Sequence, residues 1–124
     1  MNTPTIAIIG CGPSGCYTAQ FLRKQWPEAE LSIYDRMPVP LGLVRYGVAP
    51  DHVSTKAITR QFSRLFERDN VNFVGNLEVG KDLELSALRE IYDVVVLATG
   101  LYGDKMLNIE GEELQHVYGA GKLT

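Results

Sequence analysis

Thr5-Ile6-Ala7-Ile8-Ile9 runs straight into Gly10-Cys11-Gly12-Pro13-Ser14-Gly15, and a helical pattern opens at once behind the last glycine. The apolar run reads as a buried strand and the glycines as G-x-G-x-x-G, a context that points to a dinucleotide. Each glycine has a separate task. Gly10 permits a tight turn off the strand, Gly12 lets backbone approach a pyrophosphate, and Gly15 lets helix and strand pack closely. The unpaired N–H groups of the helix that Pro13 and Ser14 open then face the phosphates.

Cys16, Ala19, Leu22 and Trp26 recur at helical spacing and lay one apolar stripe on a sheet, with Pro27 as the stop. A second strand is expected at Leu31-Ser32-Ile33-Tyr34, ending on Asp35, twenty residues beyond Gly15. A carboxylate there accepts hydrogen bonds from a ribose and repels a 2′-phosphate, so the site is expected to hold the ADP half of FAD or NAD rather than NADP.

At 124 residues the chain is one domain or part of one. Twelve basic against fifteen acidic residues leave a net charge of −3, which gives no general electrostatic reason to expect nucleic acid. There is no apolar run of about twenty residues to span a membrane. Met1-Asn2-Thr3-Pro4 leads into the first strand without a basic region or apolar signal core, so a cytoplasmic location is expected. Cys11 and Cys16 read as small packing residues. A thiol at a helix N-terminus can have a lowered pKa, but C-x4-C is not the C-x-x-C of a dithiol site. No Cys and His cluster suits a metal, and none is expected.

Three prolines and two glycines between Arg36 and Asp51 argue against a regular helix there. That loop carries Leu41, Leu43, Val44, Tyr46 and Val48, so it should pack on something flat and partly apolar, a flavin ring or another domain. Asp51 or Ser54 can cap a helix running to about Arg68, with Ile58, Phe62, Leu65 and Phe66 on its buried face. Lys56, Arg60, Arg64 and Arg68 form a positive stripe on the other side, either a solvated face or a dock for an acidic protein. A strand at Val71-Asn72-Phe73-Val74, a short extended piece at Leu77-Glu78-Val79 and a short helix near Ser86 to Ile91 follow. Asp93-Val94-Val95-Val96-Leu97-Ala98 reads as a strand covered on both faces of a parallel sheet. It ends in Thr99-Gly100, where a small hydroxyl and a glycine allow close approach at the crevice of an open α/β sheet. Beyond Gly100 the pattern fades, and no second G-x-G-x-x-G appears.

The loop Pro38-Val39-Pro40-Leu41-Gly42-Leu43-Val44-Arg45-Tyr46-Gly47-Val48-Ala49-Pro50-Asp51-His52 closely resembles a segment of adrenodoxin reductase-like ferredoxin–NADP reductases, members of the glutathione reductase-type two-dinucleotide flavoproteins. Arg60-Gln61-Phe62, Phe73-Val74-Gly75-Asn76, Tyr92-Asp93 and Leu107-Asn108-Ile109-Glu110-Gly111-Glu112 also resemble the family, so the likeness covers nearly the whole chain. The glutamate synthase small subunit is a more distant relative with a similar loop. The resemblance implies an α/β, Rossmann-like FAD/NAD(P)-binding three-layer fold with a mostly parallel sheet that is incomplete here. Gly10, Gly12, Pro13, Ser14 and Gly15 would hold the FAD pyrophosphate, with Asp35 on the adenosine ribose, where the family usually has Glu. Leu43 and Val79 match FAD-contacting positions, and Thr99-Gly100 closes the same crevice. His52 matches a histidine near the flavin that helps tune electron or hydride transfer. Lys105 stands close to a position where the family can place an arginine near NADP.

The implied chemistry is hydride transfer from NADPH to FAD, then electron transfer to a ferredoxin-type iron–sulfur protein, with the basic stripe as a candidate carrier surface. Residues 1–104 would be the N-terminal part of the FAD domain and 105–124 the start of a connection toward a missing NADP-binding domain. The isolated chain is then expected to bind FAD weakly or to need a partner segment, with little NADPH-dependent activity. The competing readings are an NAD-binding part of a dehydrogenase, which leaves residues 38 to 56 unexplained, and a stand-alone nucleotide-binding module without catalysis.

Overall fold

A computed structural model of the chain describes residues 3 to 101 and 103 to 123, with the side chains of Tyr46, Thr55, Lys56 and Leu123 left out of the description. Strand β1 (Thr5–Ile9) is buried along nearly its whole length, as its unbroken apolar run requires. It lies inside a four-stranded sheet of order β3-β2-β1-β4, with β2 at Glu30–Tyr34, β3 at Val71–Val74 and β4 at Val94–Leu97. Every pairing is parallel: Ile8 stands opposite Ile33 of β2 and Val96 of β4, and Ile33 opposite Phe73 of β3. The fold is therefore the Rossmann-like α/β arrangement, with a sheet that is wholly rather than mostly parallel.

Helix α1 (Pro13–Gln25) crosses from β1 to β2, and α3 (Val53–Glu67) precedes β3. Both pack on the sheet through Cys16, Ala19, Phe62 and Leu65, which join Ile6, Ile8, Leu31 and Ile33 in one buried cluster. The Tyr17 ring meets Phe62 edge-on at a centroid distance of 4.9 Å, fixing the two helices side by side. Trp26 falls outside the expected stripe: α1 ends at Gln25, and Trp26 caps it from the exposed side. Arg23 closes that end, donating from Nη1 to the carbonyls of Pro27 at 2.8 Å and Ala29 at 2.7 Å, and from Nη2 to Asn70 at 3.1 Å. A basic side chain in the last turn thus satisfies carbonyls of the loop after α1 and of the segment before β3.

Several expectations are corrected. The proline-rich segment holds a single helical turn, α2 (Leu43–Tyr46), because the prolines at 38, 40 and 50 leave residues 43 to 46 free to coil. Helix α3 starts behind His52, and neither Asp51 nor Ser54 supplies a side-chain cap. The extended piece Leu77-Glu78-Val79 joins no strand of the sheet: among the described residues its ladder contact is an isolated bridge from Val79 to Leu83. β4 is not covered on both faces. It is an edge strand paired only with β1, and Val94 and Leu97 are 44% and 64% exposed.

Two further short helices complete the described residues, α4 (Leu85–Ile91) and α5 (Ala120–Leu123). Tyr34 at the end of β2 and Tyr92 before β4 share a hydrogen bond of 2.9 Å between their hydroxyls. Burial, then that bond, push the Tyr34 hydroxyl up to about 12.

Candidate functional site

The glycine turn connects β1 to α1 at the carboxyl end of the sheet. Gly10 adopts φ +109°, a conformation that favours glycine, and its N–H donates to the Tyr34 carbonyl at 2.7 Å. Gly15 passes so near β1 that an added Cβ would fall on the Gly10 carbonyl oxygen. Gly12 differs from both. It is the N-cap of α1 at φ −80° and ψ −172°, and an added Cβ would meet nothing within 4 Å. Its open side faces space beside a helix N-terminus, where the first-turn N–H groups have no carbonyl behind them.

Two cavities flank this turn. The smaller, of about 200 Å³, is lined by Gly10, Asp35, Arg36, Val79 and Thr99 among others. The larger, of about 590 Å³, is lined by Arg36, Met37, Gly42, Leu43 and Val48 together with Leu101 and Asp104. Arg36 borders both. The turn is next to both: Gly10 lines the smaller, and Gly42, which lines the larger, packs so near that an added Cβ would lie only 3.3 Å from the Gly12 Cα. Together they form a two-part cleft at the sheet's carboxyl end, the crevice where open α/β sheets take ligands.

Asp35 is buried, and both carboxylate oxygens already accept backbone donors: Oδ2 from Cys11 at 2.7 Å and Oδ1 from Met37 at 2.8 Å. The carboxylate therefore fastens the glycine turn to the segment that opens the loop. Each oxygen keeps further lone-pair capacity toward the small cavity, so a ribose hydroxyl can still be accepted. The loop itself docks on the turn. The Leu41 N–H donates to the Cys11 carbonyl at 2.8 Å, and Leu41 takes φ +89° to do so. Leu41 and Val44 are spent in the protein's own core, whereas Leu43 is 51% exposed at the larger cavity. The apolar loop thus rests partly on its own domain and keeps one side for a ligand.

The structure brings Gly10, Asp35, Val79 and Thr99 into the small cavity and Leu43 into the larger one. Pro13 and Ser14 are the first two residues of α1, and Gly100, at φ +68°, turns the chain just beyond Thr99. His52 is exposed at the start of α3 and lines neither cavity, while Lys105 lies in a separate depression among residues 104 to 122. Arg36 and Met37 were not singled out by sequence, although Arg36 directly follows the acid. Among the described residues no group of three metal-ligating side chains occurs, and no helix is long and apolar enough to cross a membrane.

Fold and site define a Rossmann-type α/β unit with a cleft at the carboxyl end of its sheet. Its relatives are reductases. The chain is 56% identical over 121 residues to cindoxin reductase of Citrobacter braakii, an alignment covering 97% of this chain and 26% of that protein. It is 50% identical to the mitochondrial NADPH:adrenodoxin oxidoreductase of Arabidopsis thaliana and 47% to that of Homo sapiens, covering 96% of this chain and 25% and 24% of theirs. FprA of Mycobacterium tuberculosis, solved in complex with NADPH, superimposes with a TM-score of 0.91 at 38% identity, over 98% of this chain and 28% of that one. No family model matches. The chain is thus related over almost all of its own length to the adrenodoxin reductase-type enzymes, and spans about a quarter of the length of the curated relatives it matches.

Proposed function

We propose that the chain is the FAD-binding portion of a flavoprotein oxidoreductase that passes electrons from NADPH through FAD to a ferredoxin-type iron–sulfur protein. The observation that carries this reading is the open side of Gly12 in a turn whose Gly10 lines one cavity, with a buried carboxylate, and whose neighbour Gly42 lines the other, with an apolar wall. A dinucleotide needs that order of features: a polar end, a diphosphate cradle, then an apolar end. The names of the relatives, NADPH:adrenodoxin oxidoreductase and cindoxin reductase, support the direction of electron flow.

In this reading the amides of Gly12, Ser14 and Gly15 hold the pyrophosphate, with Pro13 presetting the helix, and Asp35 accepts from the adenosine ribose. Val79, Thr99 and Gly100 wall the adenosine side, and Leu43 gives the apolar contact. When bound, the flavin supplies the two-electron to one-electron conversion. His52, which lines neither cavity, and Lys105, in its own depression, are assigned a tuning role and a place on the NADP side by the resemblance alone. Residues 1–104 belong to the FAD domain, and 105–124 begin the connection toward an NADP-binding domain.

Titration of the chain with FAD, followed by flavin fluorescence, tests the reading. ADP is expected to displace FAD, whereas FMN, which lacks the ADP half, and NADP+, whose 2′-phosphate would approach Asp35, are expected to compete poorly. Preference for NADP+ over FAD would overturn it.

The basic face of α3 is the proposed carrier surface. Arg60, Arg64 and Arg68 are exposed, the Lys56 side chain lies outside the described residues, and Lys81–Glu78 is the only ion pair among those described. Charge steers association more than it holds a complex. The double substitution Arg60→Glu, Arg64→Glu is expected to slow ferredoxin association by about tenfold at low salt, with the difference fading as salt rises. Unchanged association rates and salt dependence in stopped flow would return the stripe to a plain solvated face.

A further inference from the structure

Cys11 and Cys16 are separated by four residues along the chain but not in space. Gly12 is the N-cap of α1, so Cys11 precedes the cap and Cys16 is the fourth helical residue. Those two positions form the side-chain staple that fixes the angle at which a chain enters a helix. Here the staple consists of two thiols, both without exposed surface, with Sγ atoms 3.9 Å apart. The Cys11 carbonyl, 3.8 Å from the Cys16 sulfur, is the alternative acceptor for the single Cys16 thiol hydrogen. No other side chain among the described residues bonds either sulfur.

We infer that Cys11 and Cys16 form an oxidisable dithiol that closes to an intrachain disulfide under peroxide and loosens the nucleotide cradle when it does. The Cys11 thiol is the one prepared to react. The hydrogen bond from Cys16 holds it below its ordinary value against the opposing effect of burial, and the same bond pushes Cys16 up. The Cys11 thiolate attacks one oxygen of the peroxide, the O–O bond breaks, and the departing hydroxide takes a proton to become water. Cys11 is left as a sulfenic acid. The Cys16 sulfur then attacks that sulfur, the S–S bond forms, the S–O bond breaks, and a second water leaves with the Cys16 proton. Two thiols have lost two electrons and two protons, and one hydrogen peroxide has become two waters.

Closure matters because of what Cys11 holds. Its N–H fastens the Asp35 carboxylate and its carbonyl fastens Leu41. Bringing the sulfurs from 3.9 Å to a bonded separation of about 2.05 Å draws the two residues together, and in the inferred closure it is Cys11 that yields toward the helix. The turn at Gly12 and the seat of Asp35 then shift together. Burial sets the reagent: a peroxide enters through local opening of the exposed Pro13-Ser14 end more readily than a bulky disulfide does.

The test treats the reduced chain with hydrogen peroxide and reads peptide masses without a reductant. The expected result is loss of two hydrogens from a species linking Cys11 to Cys16 within one chain, reversal by dithiothreitol, and FAD affinity about tenfold weaker while oxidised. Cys16→Ser is expected to stop at a Cys11 sulfenic acid that dimedone traps. Two freely alkylated thiols, under conditions that oxidise the 59% exposed Met106, would overturn the inference. So would an interchain disulfide, or an intrachain one that leaves FAD binding unchanged. The affinity clause rests on the FAD reading. A reduced chain that binds NADP+ in preference to FAD would sink that reading alone, and the mass result would still decide the dithiol.

Discussion

Gly10→Ala is expected to cost the fold more than any other single methyl group on the described glycines of the turn. The residue sits at φ +109°, and an alanine Cβ there would overlap the Ala98 carbonyl oxygen and lie 2.7 Å from the Ala98 carbonyl carbon. Neither side can retreat. Ala98 N–H donates to the Ile9 carbonyl at 2.8 Å, and the β1–β4 ladder runs directly into this contact through Ile9 and Leu97. On the other flank Gly10 N–H is committed to Tyr34. Relief of the overlap therefore means parting two strands of a four-stranded sheet. Left-handed strain alone is on the order of 1–3 kcal/mol, and overpacking adds about as much again. Together these amount to roughly 2–6 kcal/mol against a total stability of roughly 5–15 kcal/mol, so the variant should show a urea midpoint lowered by about 40% at the middle of both ranges, and no cooperative transition at the low end of stability. A loss below about 1 kcal/mol would mean that the turn is not held as described.

The strand–turn–helix was legible because its constraints are steric and local: Gly10 and Gly15 stand where backbone meets backbone, and any sequence making that turn must yield there. The role of Asp35 was only half legible. Its position after β2 announced a polar contact at the crevice, but the bond to Cys11 N–H joins residues 24 apart and follows from the sheet register. The loop concealed more. Leu41 adopts φ +89° ahead of Gly42 at φ +52°, and nothing in a leucine signals a backbone that glycine would prefer. That conformation turns Leu41 into the core and leaves Leu43 on the cleft. The apolar content of the loop was readable, and its division between fold and ligand was not. The edge position of β4 was hidden for a different reason, since a run of valines looks alike whether or not a neighbour covers it. For the cysteines, spacing along the chain concealed what helix geometry supplies, because the residues before and after an N-cap meet across the first turn.

Gly12→Ala separates binding from folding, and it is the reverse of the change at Gly10. With φ −80° and ψ −172° the backbone suits any residue, and no atom lies within 4 Å of the new methyl. Alanine is a poorer N-cap than glycine but loses less chain entropy on folding, so stability should move by no more than about 1 kcal/mol. The methyl group nevertheless projects into the space beside the first-turn amides, where a diphosphate must approach backbone closely to accept from them. Holding the phosphates off by the width of a methyl group forfeits charge-assisted hydrogen bonds of roughly 1.5–3 kcal/mol each. The loss of two corresponds to a fall in FAD affinity of at least a hundredfold, since each 1.4 kcal/mol is about tenfold. Urea melts and FAD titrations on the same preparation decide the matter, with ADP as the second ligand because it retains the diphosphate. Wild-type affinity for both would show that the pyrophosphate does not rest on Gly12. An equal loss of stability and binding would show that Gly12 serves the fold as Gly10 does.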